Sequence, residues 1–211
     1  MNRDSIDVLE SNEYSVLKGV EYKPVAWGYT TRSVGDGKDL LVAERVKLGD
    51  DLRTGELVIP GGGLKSGEDY IQAAIREVNE ETGVTAVPGN RSKFANLSGL
   101  PVLKNREKII AIYDPMGLVW LYYKDSGKAY MGQMVDLEPR SEPVKPSGQD
   151  AKHPHYLPLE EVISNPEKFT PACQILLEMA EEAERSTFVK DQDISLSSFP
   201  IVLHSRIKKS D

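Results

Sequence analysis

Cysteine is nearly absent from this chain. The lone Cys173 excludes a disulfide framework, and its place in an apolar helical pattern marks it as a buried structural thiol. Histidine is almost as scarce. His153 and His155 flank Pro154 in what reads as a loop, where a surface role outweighs a metal pair. No apolar run approaches the ~18 residues of a membrane-spanning helix, and Met1 to Glu10 is polar and charged, unlike a signal peptide. Positive charge is also short, with 26 Lys and Arg against 33 Asp and Glu for a net charge of −7. That balance excludes a general nucleic-acid-binding surface, which needs a basic stripe. The expectation is a cytoplasmic chain with no membrane attachment.

What is present is enough for one sizeable core. In 211 residues, 39% hydrophobic, no repeat, low-complexity tract or break in composition divides the chain. β-Branched and aromatic runs at Val25 to Arg32, Asp39 to Val46, Lys108 to Tyr113 and Gly117 to Lys124 predict strands, with a turn at Gly35-Asp36-Gly37. Glu56 to Ile59 predicts a short strand ended by Pro60. Tyr156 to Val162 reads as an aromatic-then-helix element. A last amphipathic helix is predicted from about Pro171 to Arg185, with Ile175, Leu176, Met179 and Ala183 as its buried stripe.

The densest information lies between Ser66 and Gly83. Ser66 and Asp69 have the spacing of a capping box, so a helix is expected to start there. Ile71, Ala74, Ile75 and Val78 come at helical intervals as one apolar stripe, and Gly83 suits a left-handed C-terminal cap. At about 100° per residue, Glu77, Glu80 and Glu81 share a patch on roughly the opposite side, beside Ala73. Such crowding costs a few tenths of a kcal/mol per pair, far from the helix end whose dipole would compensate it. Clustered carboxylates suit a hard divalent cation, Mg²⁺ above all. A merely solvated acidic face is the plainer alternative for the glutamates alone. Ahead of this helix stands Gly61-Gly62-Gly63, which predicts a loop able to approach and cradle phosphate.

The pattern Gly62-x5-Glu68-x7-Arg76-Glu77-Val78-x-Glu80-Glu81-x-Gly83-Val84 resembles the Nudix box, with no position missing. The resemblance implies an α/β fold of the α+β kind, a mixed β-sheet sandwiched between α-helices. It places a Nudix hydrolase domain at residues 24–185, between an N-terminal extension (1–23) and a C-terminal extension (186–211). Those extensions fit dimer arms, edge strands or frayed tails, which leaves a homodimer open; Phe199 to Ile207 is too apolar for a wholly solvated tail.

By the same resemblance the reaction is Mg²⁺-dependent hydrolysis, with Mn²⁺ as a substitute, of the diphosphate in a nucleoside diphosphate linked to another moiety. Glu77, Glu80 and Glu81 would hold the metal with the Gly61 carbonyl. Arg76 would orient the glutamates, Glu68 would support the loop, and Gly62 and Gly63 would meet the substrate. Relatives acting on nucleoside triphosphates carry a phosphate-contacting arginine near Arg45, and Arg53 is a second candidate. The proton acceptor would be a box glutamate or an acid from the long loop expected after Lys124, among Glu138, Glu142 and Asp150.

The substrate is less constrained. Leu57-Val58-Ile59-Pro60-Gly61-Gly62 resembles the nucleoside-triphosphate type, whereas Pro101 falls near the place where the ADP-ribose branch carries a proline. A nucleoside triphosphate-like substrate is the first expectation. ADP-ribose or another nucleotide sugar comes second, and a non-catalytic nucleotide-sensing module third. Trp27, Tyr29, Trp120, Tyr122 and Tyr123 are candidates to stack a base, although aromatic residues on strands more often fill a core.

Overall fold

The computed structural model describes residues 20–46, 55–90, 94, 102–113, 117–144 and 151–187. Arg53, Pro101, Asp150 and Phe199 to Ile207 lie outside the described residues, as do most of the two expected extensions.

The fold is built on one strand pair that local sequence does not announce. β1 (Lys23–Val34) runs parallel to β9 (Ala129–Pro139), in register from Lys23 opposite Tyr130 to Thr30 opposite Leu137. β1 also turns at Gly35 and Asp36 into β2 (Gly37–Arg45), as the Gly-Asp-Gly signal predicts. β3 (Leu57–Val58) pairs with β2, β4 (Gly61–Gly63) with β1, and β5 (Ala86–Pro88) with β9. β6 (Val102–Asn105), β7 (Ile109–Tyr113), β8 (Leu118–Tyr123) and β10 (Ala151–Pro158) complete a mixed sheet ordered β10-β2-β1-β9-β8-β7-β6.

Alternation along the central strands sends side chains to opposite faces, and each face has its own core. Tyr29, Leu40, Val42 and Met134 pack with α3 (Pro171–Thr187), through Ile175, Leu176 and Met179. Ala26, Leu41, Val135 and Leu137 pack with α1 (Tyr70–Thr82), through Ala73, Ala74 and Val78. The expected sheet between helices is therefore what forms. Burial on both sides explains why β1 and β2 read as nearly continuous apolar runs. α2 (Leu159–Ser164) continues directly from β10, placing Val162 in the α3 core. Cys173 is buried there too and accepts the Ile59 N–H at 3.3 Å.

Several expectations need correction. The Gly61–Gly63 segment is a strand, not a loop, because it completes the edge of β1 where β2 has diverged. The long loop expected after Lys124 is largely β9, whose mixture of Gly132, Gln133 and Asp136 with apolar residues hides its period. Glu138 consequently lies on a strand, opposite Val87. His153 and His155 belong to β10, where a bulge puts His153 at φ 48°. Two prolines are tolerated in β10 because it is an edge strand.

The central pairing leaves no room at Gly132. A β-carbon there would fall on the Val25 carbonyl oxygen and the Trp27 ring. Gly132→Ala is expected to destabilise the fold by about 1–3 kcal/mol, the usual cost of overpacking. Urea denaturation should show a lowered midpoint with an unchanged slope; an unaltered midpoint would contradict the close β1–β9 approach.

Candidate active site

The N-cap of α1 lies three residues beyond the expected Ser66. Gly67 turns the chain at φ 84°, and Asp69 is the actual cap. Its carboxylate accepts the Gln72 N–H at 2.7 Å, while the Gln72 side chain accepts the Asp69 N–H at 3.0 Å. This is a capping box one step along from the expected pair. It frees Glu68 for a different task. At the other end Gly83 takes the left-handed conformation and returns its N–H to Asn79 at 2.8 Å, as its sequence position predicts.

The acidic residues of α1 are organised by Arg76. Its guanidinium donates to Glu68 from Nε at 2.6 Å and from Nη2 at 2.9 Å, and it reaches the Gly63 carbonyl at 2.8 Å. Its Nη1 donates to Glu77 at 2.6 Å and to Glu80 at 3.1 Å. Lys65 adds a second bond to Glu80 at 3.0 Å. The charges that look mutually repulsive in sequence are thus interleaved with cations, Arg76 from the helix itself and Lys65 from the segment ahead of it. Glu81 is buried at 8% exposure and accepts the Gly61 N–H at 3.0 Å. The expected exposed acidic patch is therefore largely covered by β4, with Glu80 its most open member.

These contacts hold the titratable groups in their charged forms. The Arg76 hydrogen bond, followed by the Lys65 backbone N–H, lowers the Glu68 pKa to about 2. Lys65 first and Arg76 second hold Glu80 below the usual carboxylate range. Glu68, and after it Glu77, push Arg76 upward.

The glycines ahead of α1 are required by proximity. A β-carbon at Gly62 would stand 2.6 Å from the Glu77 carboxyl carbon, and one at Gly61 would stand 2.5 Å from the Ala26 carbonyl oxygen. Backbone and carboxylates are therefore pressed together where a hard cation would share them, and the oxygen-only donor set fits such a cation. Among the described residues, no three His, Cys, Asp or Glu side chains are yet gathered around one point. Glu77, Glu80 and Glu81 are instead turned to Arg76, Lys65 and the Gly61 N–H.

Beside this cluster opens a cleft of about 830 Å³. Gly61, Gly62, Gly63 and Glu81 line one part, with Arg45 and Glu56 close by in the fold; Trp27, Tyr123 and Tyr130 line it further along the sheet. The structure thus brings Arg45, Trp27 and Tyr123 to the cleft, as the sequence allowed. Tyr29 is buried, edge-on to Phe94 at 5.5 Å, so it stacks no ligand. Trp120 and Tyr122 do not line the cleft.

Glu138 is paired with Arg140 at 3.0 Å, and Glu142 holds Arg32 through two bonds of 2.9 Å; neither lines the cleft. Sequence reasoning missed Glu56 and Tyr130. Glu56 carries no local motif, and Tyr130 becomes visible only once β9 is paired with β1.

The Glu68–Arg76 pair has a definite acid signature. A carboxylate whose pKa is lowered on folding stabilises in full above its ordinary value of 4.5, and that contribution is lost as pH falls towards 2. Wild type should therefore exceed Glu68→Gln in thermal stability near neutral pH, with the difference shrinking below pH 4.5. A pH-independent difference would show that the carboxylate charge is not what anchors the approach segment to the helix.

Comparison with known proteins agrees with this geometry. Residues 24–113 match the family model described as NUDIX domain. A NUDIX hydrolase from Nitrosomonas europaea superposes with a TM-score of 0.54 at 18% identity, over 79% of this chain and 90% of that one. The MutT protein from Methanosarcina mazei Go1 gives 0.52 at 18%, over 80% and 97%. The NUDIX domain of Shewanella oneidensis NrtR, complexed with ADP ribose, gives 0.51 at 13%, over 86% and 98%. At such identities the superpositions speak for the fold alone. The family match covers β1, β2 and the box helix, every box position within it is filled, and the fold is that of the Nudix hydrolases it superposes on.

Proposed function

We propose that this protein is a divalent-metal-dependent pyrophosphohydrolase that cleaves the diphosphate linkage of a nucleoside diphosphate joined to a further moiety, a nucleoside triphosphate-like substrate being the first choice. The observation that carries this reading is the fixed acidic cluster opening onto the cleft through Glu81 and Gly61–Gly63.

Glu77, Glu80, Glu81 and the Gly61 carbonyl would hold Mg²⁺, or Mn²⁺ in its place. When bound, such ions neutralise diphosphate oxygens that otherwise repel a nucleophile, and they activate water for attack. The chain's own contribution is positional. Arg76 fixes Glu77 and Glu80 on the face turned to β4, Glu68 anchors Arg76, and the side-chain-free Gly62 and Gly63 let phosphate come close to the backbone. Arg45, in the cleft wall, would contact a phosphate. The proton of the attacking water would pass to a box glutamate or to Asp150, since Glu138 and Glu142 are engaged by Arg140 and Arg32 away from the cleft. Trp27, Tyr123 and Tyr130 offer faces to a base or sugar.

A panel of nucleoside triphosphates, ADP-ribose and nucleotide sugars, assayed with Mg²⁺ by phosphate release and product mass, tests the reading. Turnover of at least one compound, abolished by chelator and restored by Mg²⁺, is expected. Tight binding with no turnover across the panel would favour a nucleotide-sensing module instead. Glu80→Gln should lower kcat by about a hundredfold or more, scaling from the ~10–100-fold losses typical of changes next to a metal ligand. Its fold should persist, and full activity in that variant would remove Glu80 from the metal site. Hydrolysis in ¹⁸O-labelled water would then identify the phosphorus attacked.

A further inference from the structure

The cleft extends well beyond the box. From β4, its floor crosses β1 at Val25 and Trp27, β9 at Tyr130 and β8 at Leu121 and Tyr123, and reaches Lys108 just ahead of β7. Four strand spacings of ~4.8 Å make that path roughly 19 Å. Its far end is built around the end of β8. The Tyr123 N–H donates to the Lys128 carbonyl at 2.9 Å, and the Lys124 N–H donates to the Lys108 carbonyl at 3.0 Å. Lys108 and Lys128 therefore straddle β8, and both line the cleft.

Neither of these ammonium groups makes an ion pair among the described residues. Among the other described lysines, Lys65, Lys104, Lys152 and Lys168 are paired with Glu80, Glu178, Glu44 and Glu161, and Lys124 donates to the Asn105 amide oxygen. In a chain of net charge −7, two lysines without an ion pair among the described residues give one end of this cleft a local excess of positive charge. Asp125 and Ser126 share that end. The aspartate offsets one lysine and leaves one net positive charge. Between the two ends lies the aromatic floor, where Tyr123 and Tyr130 meet edge to face at 5.9 Å.

We infer that Lys108 and Lys128 form a second anion subsite. It selects substrates whose organic arm, leading away from the cleaved diphosphate, carries a further anionic group, either a phosphate ester or a carboxylate. The inference rests on the proposed diphosphate hydrolysis for its orientation, since the box end must hold the diphosphate for the lysine end to meet the far end of that arm. An ammonium placed against an ionised oxygen gives a charge-assisted bond. With two ammonium groups bearing on one anion, the preference should be about tenfold. Both lysines are exposed to solvent, so the preference should weaken as salt is raised.

Matched compounds that differ only in the distal anion test this directly. NADPH against NADH and coenzyme A against dephospho-coenzyme A probe a phosphate; UDP-glucuronate against UDP-glucose probes a carboxylate. Dissociation constants would be measured on the full chain by calorimetry in the presence of chelator, and kcat/KM with Mg²⁺. In at least one pair, the anionic member is expected to bind about tenfold more tightly and to show the gain in KM. The ratio should fall towards one in Lys108→Gln/Lys128→Gln and stay at the wild-type value in Lys168→Gln, outside the cleft.

Equal binding within every pair, or a preference that survives the double variant, overturns the subsite and leaves the hydrolytic reading intact. A lysine-dependent preference in binding without turnover of any compound does the reverse. The pair that shows the effect tells phosphate from carboxylate.

Discussion

The bidentate contact between Arg76 and Glu68 is the constraint on which the site depends. Glu68 precedes α1 and Arg76 lies within it, so their two bonds fasten the approach segment to the helix. The same guanidinium holds the Gly63 carbonyl, tying in β4, and its remaining nitrogen reaches Glu77 and Glu80. A planar fork with five donors suits this task, whereas a lysine could not address a carboxylate in two-point fashion and still meet three other acceptors. Remove that fork and Glu77 and Glu80 face each other across one helical turn, with Lys65 bonded to Glu80 alone of the two. The crowded acidic helix is thus sustained by its own cation before any metal is considered.

That cluster is useful only because the sheet presents it to a cleft. α1 lies on one face of β1 and β9, and α3 lies on the other; strand alternation allots Ala26 to the first core and Tyr29 to the second. β4 fills the edge of β1 where β2 turns away, and its glycines allow the Glu77 carboxylate to rest directly on the backbone. The Gly61 N–H then fixes Glu81 at the rim. Packing, pairing and charge converge at the same few residues, which is the usual condition for a precise site on a rigid scaffold.

The chemical half of this is legible in the sequence because its determinants are local. The intervals between Glu68, Arg76, Glu77, Glu80 and Glu81 are helical intervals, and a helix converts them into neighbours without help from the rest of the chain. The β1–β2 turn and the α3 stripe are visible for the same reason. The cap is misplaced by three residues because Ser66 and Asp69 both satisfy the cap pattern, and only the Gly67 turn decides between them. β9 escapes because its period is broken by Gly132, Gln133 and Asp136. Its partner, β1, is about a hundred residues away, and such pairing leaves little local trace. With β9 hidden, Glu138 reads as part of a loop, and Tyr130 cannot be brought to the cleft.

The same division explains why reaction and selectivity are separable in this fold. Glu68, Arg76, Glu77 and Glu80 are bonded into one network, so a change at Arg76 disturbs the rest. Lys108, Lys128, Tyr123 and Tyr130 are positioned by pairing among β7, β8 and β9 rather than by the side-chain bonds that join the box. Backbone pairing sets the positions of these residues while leaving their side chains free to differ, since a ladder hydrogen bond is indifferent to what the Cβ carries. The proposed hydrolytic end is therefore constrained by side-chain bonds and the proposed recognition end mainly by topology. A fold so arranged can change what it recognises by exchanging residues around β8, provided the fork of Arg76 remains closed on Glu68.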